Sequence, residues 1–270
     1  MDTGRRAAMC ALLAAGLAPG ATAAAATPGP RAFGPAAPAS PQGPRPPADL
    51  LGGEIRRLPT SRKEVALTFN AAWDESGVDT VLGELRRRKV PATFFPTGEY
   101  ADAHPAAVRA MGAAHGLGNH SYSHPYFEDL STEERADEVR RADAAIRRAA
   151  GTEPLPFFRF PYSATSEDAI ADVNDLGYAA IEFTTDTNGY LGPAGGMTVD
   201  EAVERAVDAL APGAIIQMHV GSTGDGTVLD AQALPRIIDA AQGAGYEVVD
   251  LRRFLAQEPE NGDAGRSAGT

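Results

Sequence analysis

The sequence predicts an α/β fold with a parallel sheet made of about seven β/α units in series. Short apolar, β-prone runs alternate with longer segments whose apolar residues recur at helical spacing, from residue 64 to residue 249. The runs are apolar throughout, as expected of strands that are buried on both faces. No glycine-rich phosphate turn follows any of them, so a sheet closed into a barrel fits better than a doubly wound open sheet, which stays the alternative.

The predicted strands are short runs rich in Val, Ile, Phe and Ala. The first, Val-Ala-Leu-Thr-Phe at 65–69, begins where a Pro-rich stretch ends. The strands are predicted at 65–69, 92–95, 116–119, 157–160, 178–184, 214–218 and 247–249.

The predicted helices lie between these strands and have apolar residues at helical spacing. Ser131 with Glu134, and Thr198 with Glu201, have the spacing of capping boxes and therefore mark two helix starts. The helices are predicted at 77–89, 105–114, 132–149, 167–176, 199–210 and 231–244.

The two ends of the chain differ in composition from the predicted domain. Residues 1–25 begin with Arg5 and Arg6, continue as an apolar run and reach small residues, which is typical of a secretory signal peptide. Residues 26–60 are dominated by Pro, Ala and Gly and are interpreted as a disordered linker. We therefore expect a single α/β domain over 61–256, a disordered tail over 257–270, and a secreted protein with no stable membrane span after cleavage.

Charge and cysteine content exclude several function classes. The formal net charge of −12 and the absence of a basic cluster interleaved with aromatic residues argue against nucleic-acid binding. The one cysteine, Cys10, lies in the predicted signal peptide, so the mature chain has neither disulfides nor thiolate ligands. Any metal would have to be held by His and carboxylate side chains. We expect a monomer.

Polar clusters follow five of the predicted strands at the ends where the chain leaves them. In parallel α/β folds these ends meet on one rim, so residues distant in sequence converge there. The clusters are 70–74, 120–125, 159–162, 186–190 and His219.

Two histidines in the second cluster have the spacing of a metal site. His120 and His124 stand four residues apart and project from one side of a short segment, which allows both to bind one ion. Imidazole with carboxylate and no thiolate favours Zn²⁺, with Co²⁺ or Ni²⁺ as replacements. A pair of surface histidines is the alternative. The aromatic rings of Trp73 and Tyr190 suit the apolar face of a sugar.

The five clusters, in this order and spacing, resemble the motifs of the polysaccharide deacetylases of carbohydrate esterase family 4, the NodB-homology domain. The resemblance covers about 63–255, and its strongest parts are Gly118 to Pro125, Arg-Phe-Pro-Tyr at 159–162, and Met218-His219. It implies a distorted (β/α)7 barrel of the NodB-homology and glycoside hydrolase-deacetylase type. The implied activity is metal-dependent removal of N- or O-acetyl groups from an acetylated glycan.

The resemblance also implies roles for individual residues. His120 and His124 would bind the metal, Arg159 would orient the general base, and His219 would protonate the leaving group. Asp186 matches the first aspartate of the fourth motif, and Tyr162 is expected to contact substrate.

The sequence departs from the family pattern at three catalytic positions. Asn70 and Ala71 stand where the family has two aspartates, the base and a metal ligand, and Gly189 stands where it has the aspartate that tunes the acid histidine. An amide cannot act as a general base near neutral pH. We therefore expect Asp74, four residues beyond Asn70, to serve as the third metal ligand, with Asn70 orienting the attacking water. The alternative places Asp74 at the start of the following helix.

Two main functions follow from these observations. The first is a secreted glycan deacetylase with a rearranged first motif, and the second is a catalytically impaired glycan-binding homologue of the same fold. An amidase that acts on a non-sugar amide is a third alternative.

Overall fold

The computed structural model describes residues 45–224 and 226–255, which form two parallel sheets with helices packed around them. The predicted signal peptide, most of the predicted linker and the predicted tail lie outside these residues. Within the described part of the chain, no helix combines the length and the apolar character needed to cross a membrane.

The larger sheet is organised around its longest strand, β2, which spans Glu64–Ala71. Every residue of β2 is buried, as the continuous apolar run predicts. All its neighbours run parallel to it. The sheet order is β4 (Gly116–Leu117), β3 (Thr93–Pro96), β2, β8 (Ala214–His219) and β7 (Thr185–Asp186), with β9 (Glu247–Val249) also pairing with β2.

The smaller sheet has the order β1 (Glu54–Ile55), β6 (Ala179–Ile181) and β5 (Phe157–Phe158), again all parallel. A parallel bridge between Asn119 and Phe158 connects this sheet to the β4 edge of the larger one. The predicted strand 178–184 contains β6 but ends before β7, which begins at Thr185 and belongs to the larger sheet.

The helices cover the outer faces of the sheets. Both predicted capping boxes are confirmed, because the Ser131 and Thr198 side chains accept from the backbone N–H of Glu134 and Glu201, whose carboxylates bond back. The helices are α1 (Val78–Arg88), α2 (Gly98–Ala103), α3 (Pro105–Gly112), α4 (Thr132–Ala150), α5 (Glu167–Asp175), α6 (Val199–Asp208), α7 (Leu229–Gly243) and α8 (Arg252–Leu255).

Alternating side chains of β2 separate the outer core from the interior core. Val65, Leu67 and Phe69 pack in the cluster that includes residues of α1, α3, α4, α6 and α7. Ala66 packs instead with residues of β3, β5, β6, β8 and β9. Asn70 is on the same face of β2 as Ala66 and lies near the C-terminal end of the strand. Its side chain is therefore directed to the mouth of the interior.

The assignment of residues 26–60 to a linker is wrong for its last part. Glu54–Ile55 form β1, which pairs with β6, and Leu50 and Leu58 are 4% and 3% exposed in the interior core. Few apolar residues are present in this stretch, but those few fill the space beside β6. Composition alone does not reveal such a tertiary contact.

Candidate active site

A cavity of about 630 Å³ lies at the C-terminal ends of the strands. The structure brings most of the predicted site residues together in its wall. They are Asn70, Trp73, His120, His124, Tyr162, Asp186, Tyr190 and His219, whereas Asp74 and Arg159 do not line it.

The two histidines of the second cluster point their Nε2 atoms at one another. The two atoms are 3.2 Å apart, and the Nδ1–H of His120 donates to the carbonyl of Arg159 at 2.8 Å, which leaves the Nε2 of His120 as the acceptor nitrogen. Burial lowers the pKa of His120 well below its usual range and that of His124 to about 4. Both imidazoles are therefore neutral at physiological pH, the form that binds metal.

The loop that carries the histidines is held by a buried carboxylate from α4. Glu138 Oε2 accepts from the backbone N–H groups of Tyr122 and Ser123, each at 2.8 Å, and Oε1 accepts from the Ser123 hydroxyl. The loop needs this support because Ser121 and His124 have φ of 64° and 61°, which is unfavourable for side chains other than glycine.

The histidine pair fits two positions of a zinc site. Ligands 2.0–2.1 Å from zinc at a tetrahedral angle lie about 3.3 Å apart, close to the observed Nε2 separation. Catalytic zinc sites commonly have three protein ligands. Within residues 45–224 and 226–255, no group of three His, Cys, Asp or Glu side chains is arranged to hold a metal.

The prediction that Asp74 completes the metal site does not agree with the structure. Asp74 Oδ1 accepts from the N–H of Ser76 at 2.8 Å, and Oδ2 accepts from the N–H of Ser222 at 2.9 Å. Burial alone would raise the pKa of Asp74, but these hydrogen bonds outweigh it and lower the pKa. Asp74 Oδ1 therefore closes a turn within the loop before α1, and Oδ2 joins that loop to the loop after β8. The alternative that places Asp74 at the helix start does not hold either, because α1 begins at Val78 with Gly77 at its N-cap position and no side-chain cap.

A chain of side-chain hydrogen bonds runs across the cavity floor. Arg159 Nη1 donates to Asn70 Oδ1 at 3.0 Å, Asn70 Nδ2 donates to Gln217 Oε1 at 3.3 Å, and Gln217 Nε2 donates to Asp186 Oδ2 at 2.8 Å. A guanidinium can only donate and a carboxylate can only accept, so the two ends determine the orientation of both amides.

Arg159 is fully buried behind Asn70, and no carboxylate of the described residues is bonded to its guanidinium. Its other donors reach the carbonyls of Ile181 and Glu182, and the guanidinium lies 4.2 Å from the centre of the Phe95 ring. Desolvation lowers the pKa of Arg159 to about 10, so the group stays charged. The arginine is therefore positioned to orient a group at position 70, and that group is an amide here.

His219 ends β8 beside two carboxylates. Its Nδ1 lies 3.6 Å from Asp230 Oδ2 and 4.0 Å from Asp186 Oδ1. Asp186 Oδ1 also accepts from the N–H of Asn188, so this residue both shapes its turn and contacts the cavity floor.

Aromatic rings form two sides of the cavity mouth. The rings of Trp73 and Tyr190 are roughly parallel with centres 6.2 Å apart, and Trp73 is 46% exposed. The ring of Tyr162 meets His124 edge-on at 4.6 Å and stacks on Tyr126. An opening flanked by exposed aromatic faces suits a pyranose ring.

Three residues of the site were not found by the sequence analysis. Gln217 could have been found, because it lies two residues before His219 on one strand and shares its face. Glu138 and Asp230 are acidic residues of helices, and their sequence positions give no signal of the contacts they make with loops.

The comparisons with known proteins are consistent with this geometry. The family model described as "Polysaccharide deacetylase" matches residues 57–181. A chitooligosaccharide deacetylase of Bradyrhizobium sp. is 33% identical over 199 residues, which cover 70% of this chain and 89% of the relative. This chain belongs to the polysaccharide deacetylase family. By family it is a carbohydrate deacetylase, a hydrolase of carbon–nitrogen bonds.

Two further relatives of this deacetylase family support the assignment. A peptidoglycan-N-acetylglucosamine deacetylase of Bacillus cereus is 29% identical over 75% of this chain and 72% of its own length. A family 4 pseudoenzyme from Bacillus anthracis superposes with a TM-score of 0.68 at 26% identity, covering 77% of this chain and 70% of that one. A mutant of that pseudoenzyme with restored enzymatic activity superposes with a TM-score of 0.69. The fold is therefore the α/β deacetylase fold expected from the motifs.

Proposed function

We propose that this protein is exported and removes acetyl groups from an N-acetylglucosamine-containing glycan, with a divalent ion held by His120 and His124. One observation carries the proposal: the histidine pair, His219 and the aromatic rings all line the same cavity. The relatives that act on chitooligosaccharide and on peptidoglycan support an amino-sugar glycan as substrate.

Each group has a defined task in this reaction. The ion, which the imidazole ligands favour as Zn²⁺, would polarise the acetyl carbonyl when bound. His219 would donate a proton from Nε2 to the leaving nitrogen, and the aromatic pair of Trp73 and Tyr190 would hold the sugar ring. Asn70, held in place by Arg159, would orient the water that attacks the carbonyl.

The residues at the C-terminal end of β2 favour a second function, glycan binding without catalysis. The chain has an amide at Asn70 and a methyl group at Ala71, and Asp74 is engaged by two backbone N–H groups. A homologue without a base or a third ligand binds an acetylated glycan without cleaving it. The similar fold of a family 4 pseudoenzyme supports this alternative.

The deciding experiment measures metal content together with acetate release. The purified protein, stripped by chelation and reloaded with Zn²⁺, Co²⁺ or Ni²⁺, is incubated with chitooligosaccharides and with peptidoglycan. The proposed enzyme releases acetate and depends on the metal. Binding of the same oligosaccharides with no acetate release under any metal selects the binding function.

Variants locate the metal. His120→Ala and His124→Ala should each lose the bound ion, whereas His104→Ala, whose imidazole faces Glu75 outside the cavity wall, should retain it. Unchanged metal stoichiometry in both cavity variants would exclude the pair as ligands. Export is tested separately, by sequencing the N-terminus of the protein recovered from the culture medium.

A further inference from the structure

The Asp230 carboxylate occupies the space that a side chain at position 189 would need. A Cβ atom built on Gly189 would overlap the Asp230 carboxylate, and no strained backbone angle explains the glycine, because its φ is not positive. Position 189 is where the family pattern has an aspartate. A carboxylate is therefore present at this place, but it comes from the first turn of α7.

Asp230 is fully buried and its orientation is determined by two hydrogen bonds. Oδ1 accepts from the hydroxyl of Thr187 at 2.6 Å, and Oδ2 accepts from the backbone N–H of His219 at 2.8 Å. These two bonds hold the Asp230 carboxylate beside the backbone of His219, the residue whose ring it faces.

The Nδ1 atom of His219 is buried and makes no hydrogen bond within the described residues. The carboxylate of Asp230 is the nearer of the two that face it, at 3.6 Å against 4.0 Å for Asp186, and the ring of Tyr190 lies 4.5 Å from the imidazole centre. Each carboxylate accepts two other hydrogen bonds, those of Asp186 coming from Gln217 and from the N–H of Asn188, so the shorter distance and the complete burial of Asp230 distinguish the two. Asp230 is therefore the carboxylate best placed to receive the Nδ1–H.

We propose that Asp230 is the positioning residue for His219 and replaces, from α7, the aspartate that the family pattern places at position 189. The carboxylate keeps a proton on Nδ1 and leaves Nε2 for the cavity. Where His219 acts as the acid, Nε2–H gives its proton to the leaving nitrogen and the neutral Nδ1–H form remains, so no further proton transfer is needed. This step rests on the proposed function, but the placement of the proton does not.

The test reads the tautomer of His219 directly. In ¹⁵N NMR spectra recorded at alkaline pH, where imidazoles are neutral, the wild type should show His219 protonated on Nδ1. Asp230→Ala should lose this preference, and Gly189→Asp combined with Asp230→Ala should restore it, because the new carboxylate enters the emptied space. Retention of the Nδ1–H form in Asp230→Ala would overturn the proposal.

Two further variants keep the test decisive. If Asp230→Ala does not fold, Asp230→Asn keeps the size of the side chain, and its neutral amide should reduce the Nδ1–H population; an unchanged population contradicts the proposal. Asp186→Asn is the competing-carboxylate control and should keep the Nδ1–H form. Loss of that form in Asp186→Asn alone would assign the role to Asp186 and overturn the inference.

Kinetics separate this inference from the proposed function. If acetate is released, Asp230→Ala should lower kcat by about 10–100-fold with little change in KM, because a general acid contributes about 10²–10⁴-fold and His219 would lose only its orientation. The double variant Gly189→Asp with Asp230→Ala should recover part of the rate. If no variant releases acetate, the proposed deacetylation fails while the tautomer measurement still decides the role of Asp230.

Discussion

At the scale of single residues, the cavity floor shows how one amide changes a catalytic arrangement. The charge of Arg159 is buried and directed at position 70, where it meets the oxygen of Asn70. A carboxylate there would accept the same bond and could also abstract a proton, which an amide cannot do. The arginine therefore retains a position that suits a base.

Asn70→Asp is expected to increase acetate release by the metal-loaded protein. A general base contributes about 10²–10⁴-fold, and we expect a gain near the low end, about 10²-fold, because Gln217 Oε1 faces the new carboxylate and must turn away. Release of acetate from chitooligosaccharides measures the effect. Asn70→Ala is the control, and an increase in that variant as large as in Asn70→Asp would contradict the explanation.

Glu182→Gln is expected to remove the loss of folding stability that occurs as the pH rises and the buried Glu182 carboxyl ionises. Burial, opposed by the charge of Arg159, raises the pKa of Glu182 above its ordinary value of 4.5. The folded state then binds the proton more tightly than the unfolded state, so this contribution to stability is full below pH 4.5 and is lost as the pH rises through the folded value.

The measurement for Glu182 is the melting temperature as a function of pH. The difference between Glu182→Gln and wild type should move in favour of the variant as the pH is raised from about 4 to about 8. Glu204→Gln, on the exposed side of α6, should show no such trend. A constant difference for Glu182→Gln would show that its carboxyl does not titrate differently on folding.

At the scale of elements, two loops on the cavity rim are held by carboxylates that are not themselves in the cavity wall. Asp74 connects the β2–α1 loop to the β8–α7 loop, and Glu138 of α4 holds the histidine loop. In the histidine loop, the contacts of Glu138 support the positive φ angles of Ser121 and His124.

Asp74→Ala is expected to cost about 1–3 kcal/mol of stability, because it leaves the N–H groups of Ser76 and Ser222 without their carboxylate partner. Because the pKa of Asp74 is lowered, its contribution is present above pH 3.8 and is lost as the pH falls through the folded value. Denaturant unfolding at neutral pH measures the loss, with Glu75→Ala as the neighbouring control. Loss of bound metal without loss of stability would return Asp74 to the metal site.

Glu138→Ala is expected to weaken metal binding by about 10–100-fold, since it frees the backbone N–H groups of Tyr122 and Ser123 and lets the histidines move. Titration of the metal-free protein with Zn²⁺ gives the affinity. Glu133→Ala, on the exposed first turn of the same helix, should bind as the wild type does. Equal affinities for both variants would show that the loop holds its shape without Glu138.

At the scale of the whole molecule, the site depends on the strand that carries Asn70. β2 pairs with β3, β8 and β9, and its outward side chains fill the core beneath the helices. The rim residues of β8 and β7 are thereby held in register with Asn70, since Asn70 pairs with His219 and Asp186 pairs with Gln217.

Leu67→Ala is expected to destabilise the protein by about 2–5 kcal/mol, because Leu67 is fully buried in the core around β2 and its truncation leaves a cavity. Leu51→Ala removes the same atoms from a side chain that is 39% exposed and should change stability by less than about 0.5 kcal/mol. Denaturant unfolding compares the two. Similar losses for both variants would show that β2 is not the centre of the folded unit.

The sequence by itself determined the parallel α/β class, the two capped helices and the rim that carries the polar clusters. These follow from local periodicity, from capping residues within a few positions, and from the rule that parallel strands end on one side. Compared with the family pattern that its motifs resemble, it also showed the altered positions Asn70, Ala71 and Gly189.

Only the tertiary structure decided which carboxylate serves which loop. Asp74 is near the site in sequence but is held by Ser76 and Ser222, whereas Asp230 is distant from Gly189 in sequence and fills its place. β1 likewise belongs to the domain because β6 leaves an edge for it. Such pairings depend on distances between separate elements, and no local pattern in the chain encodes them.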